Sequence, residues 1–241
     1  LDKRKGILDG ELSDLHIAEV IVPEFTLQPS ARVRGFLVAV ENGSVRYASS
    51  ELLLDNIYLS VAPKDRLAII GDNGSGKSTL IQAIMDSPQL IRTGTWDTPE
   101  SADIGYLDQH YSNVSPEKSV LESLCEHVPE WSMTQLRRHL HLFLFKSNDD
   151  VATVVGHLSG GEKARLSLAM IAARPPKLLI LDEITNNLDI ETLRHVADIL
   201  LGYPGAMIIA SHDIDFIRKI KVNAIIELVD GAVIDKDILE I

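Results

Sequence analysis

The chain has 241 residues, 45% of them hydrophobic and 24% charged, a balance that suits one large or two small α/β domains and excludes disordered, collagen-like or disulfide-stapled chains. With 35 Asp and Glu against 23 Lys and Arg, the net charge of −12 argues against nucleic-acid binding by bulk charge and leaves only a local basic patch for that role. The single cysteine, Cys125, can form neither an internal disulfide nor a Cys-rich metal site; no apolar run approaches the ~20 residues of a membrane span, and no signal-peptide pattern opens the chain, so a cytoplasmic protein is expected.

The first residue is Leu1 rather than Met, as in a piece of a longer protein. Residues 1 to about 35 carry the basic triplet Lys3-Arg4-Lys5 and then Leu8, Leu12 and Leu15 at helical spacing, before Pro23 and Pro29 break any helix. This segment reads as the tail of a linker followed by an extended arm, or equally as an N-terminal helix of a single domain. From Phe36 onward strand-like runs alternate with helical patterns. Arg66-Leu67-Ala68-Ile69-Ile70 predicts a short strand entering a glycine loop. The stretch from about Ser115 to Arg174 reads as helical, with Ser115-Pro116 as a cap before a helix-compatible proline and Ser132 with Gln135 as a capping box. Leu178 to Leu181 is an apolar run ending in acids, as buried parallel strands are, and Ala206 to Ala210 is a second run ending at Ser211-His212-Asp213. Ala224–Val229, the turn pair Asp230-Gly231 and Ala232–Ile234 predict a hairpin. A mixed sheet with parallel strands and a helical insertion follows.

Gly71-Asp72-Asn73-Gly74-Ser75-Gly76-Lys77-Ser78-Thr79 matches the phosphate-loop pattern G-x-x-x-x-G-K-[ST]. Glycines let the backbone curl so that successive N–H groups face an anion, which a Cβ would obstruct. Lys77 adds a point charge for the β- and γ-phosphates, and the Ser78 hydroxyl can ligate Mg2+. The following helix presents its positive end to the phosphates. A glycine-rich turn that merely carries a lysine would need the strand before and the helix after by coincidence. The pattern indicates a nucleoside-triphosphate site.

Lys177 to Glu183 ends a hydrophobic strand in two adjacent carboxylates. Emerging beside the phosphate loop, that strand would put Asp182 near the Mg2+ shell and Glu183 near an attacking water. An apolar run ending in Asp-Glu is by itself a solvated strand end; the upstream phosphate loop reverses the odds. His212 follows the next apolar strand, where it could reach the γ-phosphate. Ser159 and Glu162 form a capping box for a helix running to Ala173 before Pro175-Pro176. A cap needs no double glycine, however, and Gly160 and Gly161 behind the Ser159 hydroxyl make a second anion-binding surface. Two such surfaces in one chain suit a composite site better than a monomeric one.

These motifs, with Gln109 in Gly105-Tyr106-Leu107-Asp108-Gln109-His110 and with Asn187-Leu188-Asp189, occur in the order seen in ATP-binding cassette (ABC) ATPases. They resemble, in turn, Walker A (Gly71, Asn73, Gly74, Ser75, Gly76, Lys77, Ser78, Thr79), the Q-loop, the signature, Walker B, the D-loop and the H-switch, over about Phe36 to the end. The chain is most similar to subfamily F, soluble twin-cassette proteins many of which act on the ribosome. Glu162 stands where transporters more often have Gln. Glu183-Ile184-Thr185-Asn186-Asn187-Leu188-Asp189 resembles that subfamily's E-P-T-N-H-L-D, departing at Ile184 and Asn187.

The resemblance implies a P-loop NTPase of the ABC type: a mixed-sheet core, an antiparallel β subdomain and an inserted helical subdomain at about 112–174, within an ATPase domain at 36–241. It implies ATP and Mg2+ as ligands, with Glu183, His212 and Gln109 as catalytic residues. Tyr47 would stack on adenine, Ser78, Gln109 and Asp182 would serve the metal, and Ser159, Gly160 and Gly161 would touch the ATP of an opposing cassette. Residues 1 to about 35 would then be the end of an inter-cassette linker. The implied function is an ATP-hydrolysing switch with a second cassette as partner and the ribosome as target. The alternatives are a nucleotide-binding subunit docked on a membrane transporter, and a non-hydrolysing clamp.

Overall fold

A strand that is apolar at every position is buried only if both faces of its sheet are covered, and that requirement organises this molecule. The computed structural model describes residues 35–48 and 52–238, so the linker and arm expected over residues 1 to about 35 fall outside the described residues except for Gly35. The strands are β1 (Val38–Tyr47), β2 (Leu52–Val61), β3 (Arg66–Ile70), β4 (Leu90–Asp97), β5 (Ile104–Asp108), β6 (Leu178–Asp182), β7 (Ala206–Ala210), β8 (Ala224–Val229) and β9 (Ala232–Lys236). The helices are α1 (Lys77–Ile84), α2 (Val120–His127), α3 (Met133–Leu142), α4 (Asn148–Ala152), α5 (Gly160–Ala173), α6 (Ile190–Leu201) and α7 (Ile214–Lys219). One sheet runs in the order β4-β1-β2-β9-β8-β3-β7-β6-β5.

Every residue of β6 and β7 is buried, and the two-residue period of a strand divides them between two cores. Leu179, Leu181, Met207 and Ile209 point into a core built with Leu124, Leu136, Leu140, Phe143, Leu166 and Val196, contributed by α2, α3, α5 and α6 and the turn after α3. Leu178, Ile180, Ala206 and Ile208 point the other way, into a core with Leu80, Ile81 and Ile84 of α1 and Val38, Val45, Leu54 and Ile57 of the first two strands. Strands β3, β5, β6, β7 and β8 pair in parallel, whereas β1, β2 and β4 pair antiparallel.

The two halves of the sheet meet at β2 and β9, where Asp55 pairs with Ala232 and the Asp55 amide donates to the Gly231 carbonyl at 3.0 Å. The expected hairpin is there: β8 and β9 are antiparallel, and Asp230 and Gly231 both have positive φ (49° and 81°), as a type I′ turn needs. At the other end of β3, the Arg66 guanidinium donates to the carbonyls of Leu201 (3.0 Å), Tyr203 and Ile220, so one cation satisfies the C-terminal ends of α6 and α7.

One expectation needs correcting. Ser115 does not cap a helix: helix α2 starts at Val120, and its N-cap is Ser119. The reason is the residue at the third helical position. Glu122 stands three residues after Ser119 and accepts from the Ser119 amide (2.8 Å), while Ser119 Oγ accepts from the Glu122 amide (3.2 Å). Lys118 stands at the same offset from Ser115 and cannot accept, so Ser115-Pro116 forms a turn instead, with the Lys118 amide donating to the Ser115 carbonyl at 3.4 Å. The boxes read at Ser132/Gln135 and Ser159/Glu162 both form. Ser119→Ala is therefore expected to cost about 1 kcal/mol in urea unfolding, and Ser115→Ala less than about 0.5 kcal/mol.

Candidate functional site

Strand β3 runs into Gly71, whose φ is +142° and where an added Cβ would sit 2.7 Å from the Leu228 carbonyl oxygen of β8. Gly76, at φ +105°, precedes α1, and a Cβ there would meet Leu54 Cδ2 at 2.9 Å. Both positions combine left-handed backbone with close approach, which only glycine tolerates without strain. Lys77 opens α1 and is 6% exposed. Its ammonium turns back into the loop, donating to the carbonyls of Gly71 (2.9 Å) and Asp72 (3.1 Å). The Ser75 hydroxyl is buried with no hydrogen-bond partner.

The sheet order decides what faces this loop. Strand β7 lies between β3 and β6, so the acidic strand end is one strand removed from the phosphate loop and the turn after β7 stands between them. Glu183, just past β6, adopts a left-handed conformation (φ 54°), and its amide donates to the Ala210 carbonyl at 2.9 Å. Its side chain is bracketed by two bases. Oε1 lies 3.3 Å from Lys77 Nζ, and Oε2 lies 2.9 Å from His212 Nδ1. Asn186 Nδ2 donates to Oε2 at 3.5 Å. Oε1 is buried and makes no hydrogen bond, the Lys77 charge being its compensation.

Asp182 ends β6 and is buried. Ser78 Oγ donates to Oδ1 and the Tyr106 hydroxyl donates to Oδ2, each at 3.2 Å. Burial pushes its carboxyl above the usual aspartate range, against the pull of those two hydrogen bonds, and the nearby carboxylates of Glu183 and Asp108 add to the rise. Burial, together with Asp182, also raises the Tyr106 phenol, which therefore stays a donor.

These atoms fit ATP and magnesium. A buried orphan hydroxyl and a buried ammonium satisfied by carbonyls and one carboxylate are groups that phosphate oxygens can pair with. Mg2+ is usually held by one or two carboxylates completed by phosphate oxygens and water. The Ser78–Asp182 pair offers that partial set, and among the described residues no group of three or more His, Cys, Asp and Glu side chains could hold a metal by itself.

Asn73, Gly74 and Thr79 belong to the loop and the start of α1; Asn73 is exposed, and Gly74 has φ +84° in open space. Gln109 is exposed just beyond β5, with Nε2 3.2 Å from His110 Nε2. Its loop is shaped by Asp108, which accepts from the amides of His110 and Ser112 (3.0 Å each) and from Ser112 Oγ (2.7 Å). Tyr47, at the end of β1, is half-buried against the α1-side core. Ser159 caps α5, its hydroxyl donating to Glu162 at 2.7 Å, and neither it nor Gly160 and Gly161 joins the Lys77–Glu183 group. A Cβ on Gly161 would meet Thr192 Oγ1 at 2.9 Å, and Thr192 is in turn held by Asp189, the N-cap of α6. The side chain of Asn187 lies outside the described residues.

Sequence reasoning missed three contributors: Tyr106 on Asp182, Asn186 on Glu183, and the buried Thr185–Ser211 hydroxyl pair (3.2 Å) that joins the turns after β6 and β7. The first of these follows from tertiary pairing alone: β5 and β6 pair in register with Tyr106 opposite Ile180, two residues before Asp182.

The model of the ABC transporter family matches residues 54–186. The chain is 36% identical over 199 residues to the ATP-binding protein Uup of Haemophilus influenzae, covering 79% of this chain and 30% of that protein. It is 36% identical over 186 residues to ABC transporter F family member 5 of Arabidopsis thaliana, covering 77% and 27% respectively. It is 39% identical over 178 residues to the Uup protein of Buchnera aphidicola from Acyrthosiphon pisum, covering 71% and 29%. The chain spans between 27% and 30% of the length of these three relatives.

Because burial raises the native pKa of Asp182, keeping it ionised at neutral pH opposes folding. That cost is absent below the ordinary aspartate value of about 3.9 and sets in as pH rises through the native value. Without nucleotide or metal, Asp182→Asn is expected to melt higher than wild type at pH 7, the gap closing as pH falls below about 4. A variant that melts lower at pH 7 would show that the two hydroxyl bonds outweigh desolvation.

Proposed function

This chain belongs to the ABC transporter family of ATP-hydrolysing proteins, and from that premise we propose that it is a subfamily F cassette that closes head to tail with a second cassette around two ATPs and works as a conformational switch on the ribosome, in the cytoplasm. The observation that carries the enzymatic part is the placement of Glu183 between Lys77 and His212, beside the Asp182–Ser78 pair. The subfamily and the ribosome rest on the run Glu183-Ile184-Thr185-Asn186, on Glu162, and on the likeness to a relative named as an F family member.

In this reading residues 36–241 form one ATPase domain, with residues 112–174 as its helical subdomain. The loop from Gly71 to Thr79 cradles the phosphates, and Lys77 exchanges its carbonyl and carboxylate partners for phosphate oxygens. Glu183 Oε1 then takes a proton from water as the water oxygen bonds to the γ-phosphorus and the bond to the ADP oxygen breaks. His212, donating to Oε2, keeps the carboxylate aimed. Magnesium, served by Ser78, Asp182 and Gln109, would neutralise charge on the phosphate oxygens. Tyr47 would carry the adenine, and Ser159, Gly160 and Gly161 would be offered to the nucleotide on the opposing cassette, so a lone domain hydrolyses weakly.

Lys77→Ala is expected to abolish binding of fluorescent ATP. Glu183→Gln should leave ATP affinity intact, slow hydrolysis about 10²–10⁴-fold and accumulate closed, ATP-bound pairs. Wild-type turnover by Glu183→Gln would remove Glu183 from the role of base. The ribosomal role is tested by co-sedimentation of the intact parent protein carrying Glu183→Gln. Pelleting with ribosomes in Mg-ATP but not in ADP is expected. Absence of pelleting from a protein that binds ATP would reject the ribosome as target and favour a subunit docked on a membrane transporter.

A further inference from the structure

Asp182 receives two hydroxyl groups, one on each oxygen, and only Ser78 belongs to the nucleotide motif. The other comes from Tyr106, a half-buried residue of β5 in the run Gly105–His110, where the residue carrying the motif is Gln109. From this geometry we infer that Tyr106 is a positioning residue for magnesium: its hydroxyl fixes the rotation of the Asp182 carboxylate so that Oδ1 stays turned to Ser78 and the phosphate loop. The inference rests on the assignment of Asp182 to the magnesium shell made above.

Three features of the structure support it. Asp182 is 6% exposed, and a carboxylate oxygen so placed is costly to leave without the donor that the Tyr106 hydroxyl supplies to Oδ2. The phenol is delivered by a rigid element rather than by a loop. Strands β5 and β6 are paired in parallel through five consecutive residue pairs, from Ile104↔Leu178 to Asp108↔Asp182, which fixes the offset between Tyr106 and Asp182. The aromatic ring packs against the α1-side core, and α1 carries Ser78, so both donors to Asp182 are anchored in the same packed unit. A carboxylate held at both oxygens by groups on two different elements has one orientation open to it. Outer-shell donors of this kind typically change metal affinity 10–100-fold when they are removed.

Tyr106 also stands three residues before Gln109 on the strand that delivers it, and Asp108 between them shapes the glutamine loop through His110 and Ser112. The strand that aims one magnesium residue therefore leads directly into another.

The test is the magnesium dependence of nucleotide binding by the full chain, read by fluorescence anisotropy of a slowly hydrolysed fluorescent ATP analogue, first in EDTA and then across a magnesium titration. Tyr106→Phe is expected to bind the analogue as wild type does in EDTA and to need about tenfold more magnesium for the half-maximal metal-dependent change. Tyr203→Phe removes another buried tyrosine hydroxyl, one that donates to the Pro176 carbonyl, and serves as the matched control for lost stability. It should leave the magnesium midpoint unchanged. Asp182→Asn should shift the midpoint strongly, and adding Tyr106→Phe to it should shift it no further. An unchanged midpoint in Tyr106→Phe, with a shifted one in Asp182→Asn, overturns the inference alone. An unchanged midpoint in Asp182→Asn overturns the assignment of Asp182 to the metal. Equal, additive shifts from Tyr106→Phe in the wild-type and Asp182→Asn backgrounds would show that the phenol acts elsewhere.

Discussion

The site depends on the parallel pairing of β7 with β3 on one side and with β6 on the other. The three strands carry the candidate site residues at the same end, because parallel strands terminate in the same direction: the glycine loop after β3, His212 after β7, and Asp182 and Glu183 at the end of β6. Placing β7 in the middle sets the spacing. The turn after it receives the Glu183 amide on the Ala210 carbonyl and joins Ser211 to Thr185, so the left-handed backbone at Glu183 is clamped from its neighbour strand. Such a conformation costs about 1–3 kcal/mol in a non-glycine residue and persists only where surroundings over-determine it.

That arrangement gathers charge where folding alone would avoid it. Lys77 and Asp182 are both buried, and Glu183 is nearly so, within a region otherwise lined by the apolar ends of β3, β6 and β7. The ion pair compensates one charge on each side, but breaking a buried pair is far more costly than never having built it. The cluster is therefore a liability to the fold and an asset to chemistry. In the proposed ATPase role, low dielectric around Lys77 and Glu183 would strengthen their interaction with a phosphate or a water proton, at an expense carried by the two apolar cores on either side of the sheet.

The helical part of the molecule connects to this centre at two points. Ser167, fully buried in α5, donates to Asn113 Oδ1 at 3.0 Å, tying the segment that follows Gln109 to the helix that begins after Ser159. Gly161 packs against Thr192, which Asp189 holds in the first turn of α6. Ser167, Asn113 and Thr192, which complete these contacts, belong to none of the nucleotide motifs.

The local features were legible in the sequence because their causes are local. A glycine pattern specifies a left-handed loop, a Ser or Thr with Glu or Gln three residues on specifies a helix start, and Asp230-Gly231 specifies a tight hairpin; each is decided by a few neighbouring residues. The cap falls on Ser119 rather than Ser115 because a side-chain acceptor three residues downstream decides a helix start and a following proline does not. What sequence could not supply was the order of strands. Nothing in the apolar runs Leu178–Leu181 and Ala206–Ala210 states which lies next to β3, since either could pair on either side. The order appears only in the assembled sheet, and with it the meeting of Lys77 with Glu183, of Glu183 with His212, and of Asp182 with Tyr106. Motif residues are chosen by the chemistry they perform and can be read one at a time, whereas the contacts that aim them arise between distant segments and exist only once the sheet has closed.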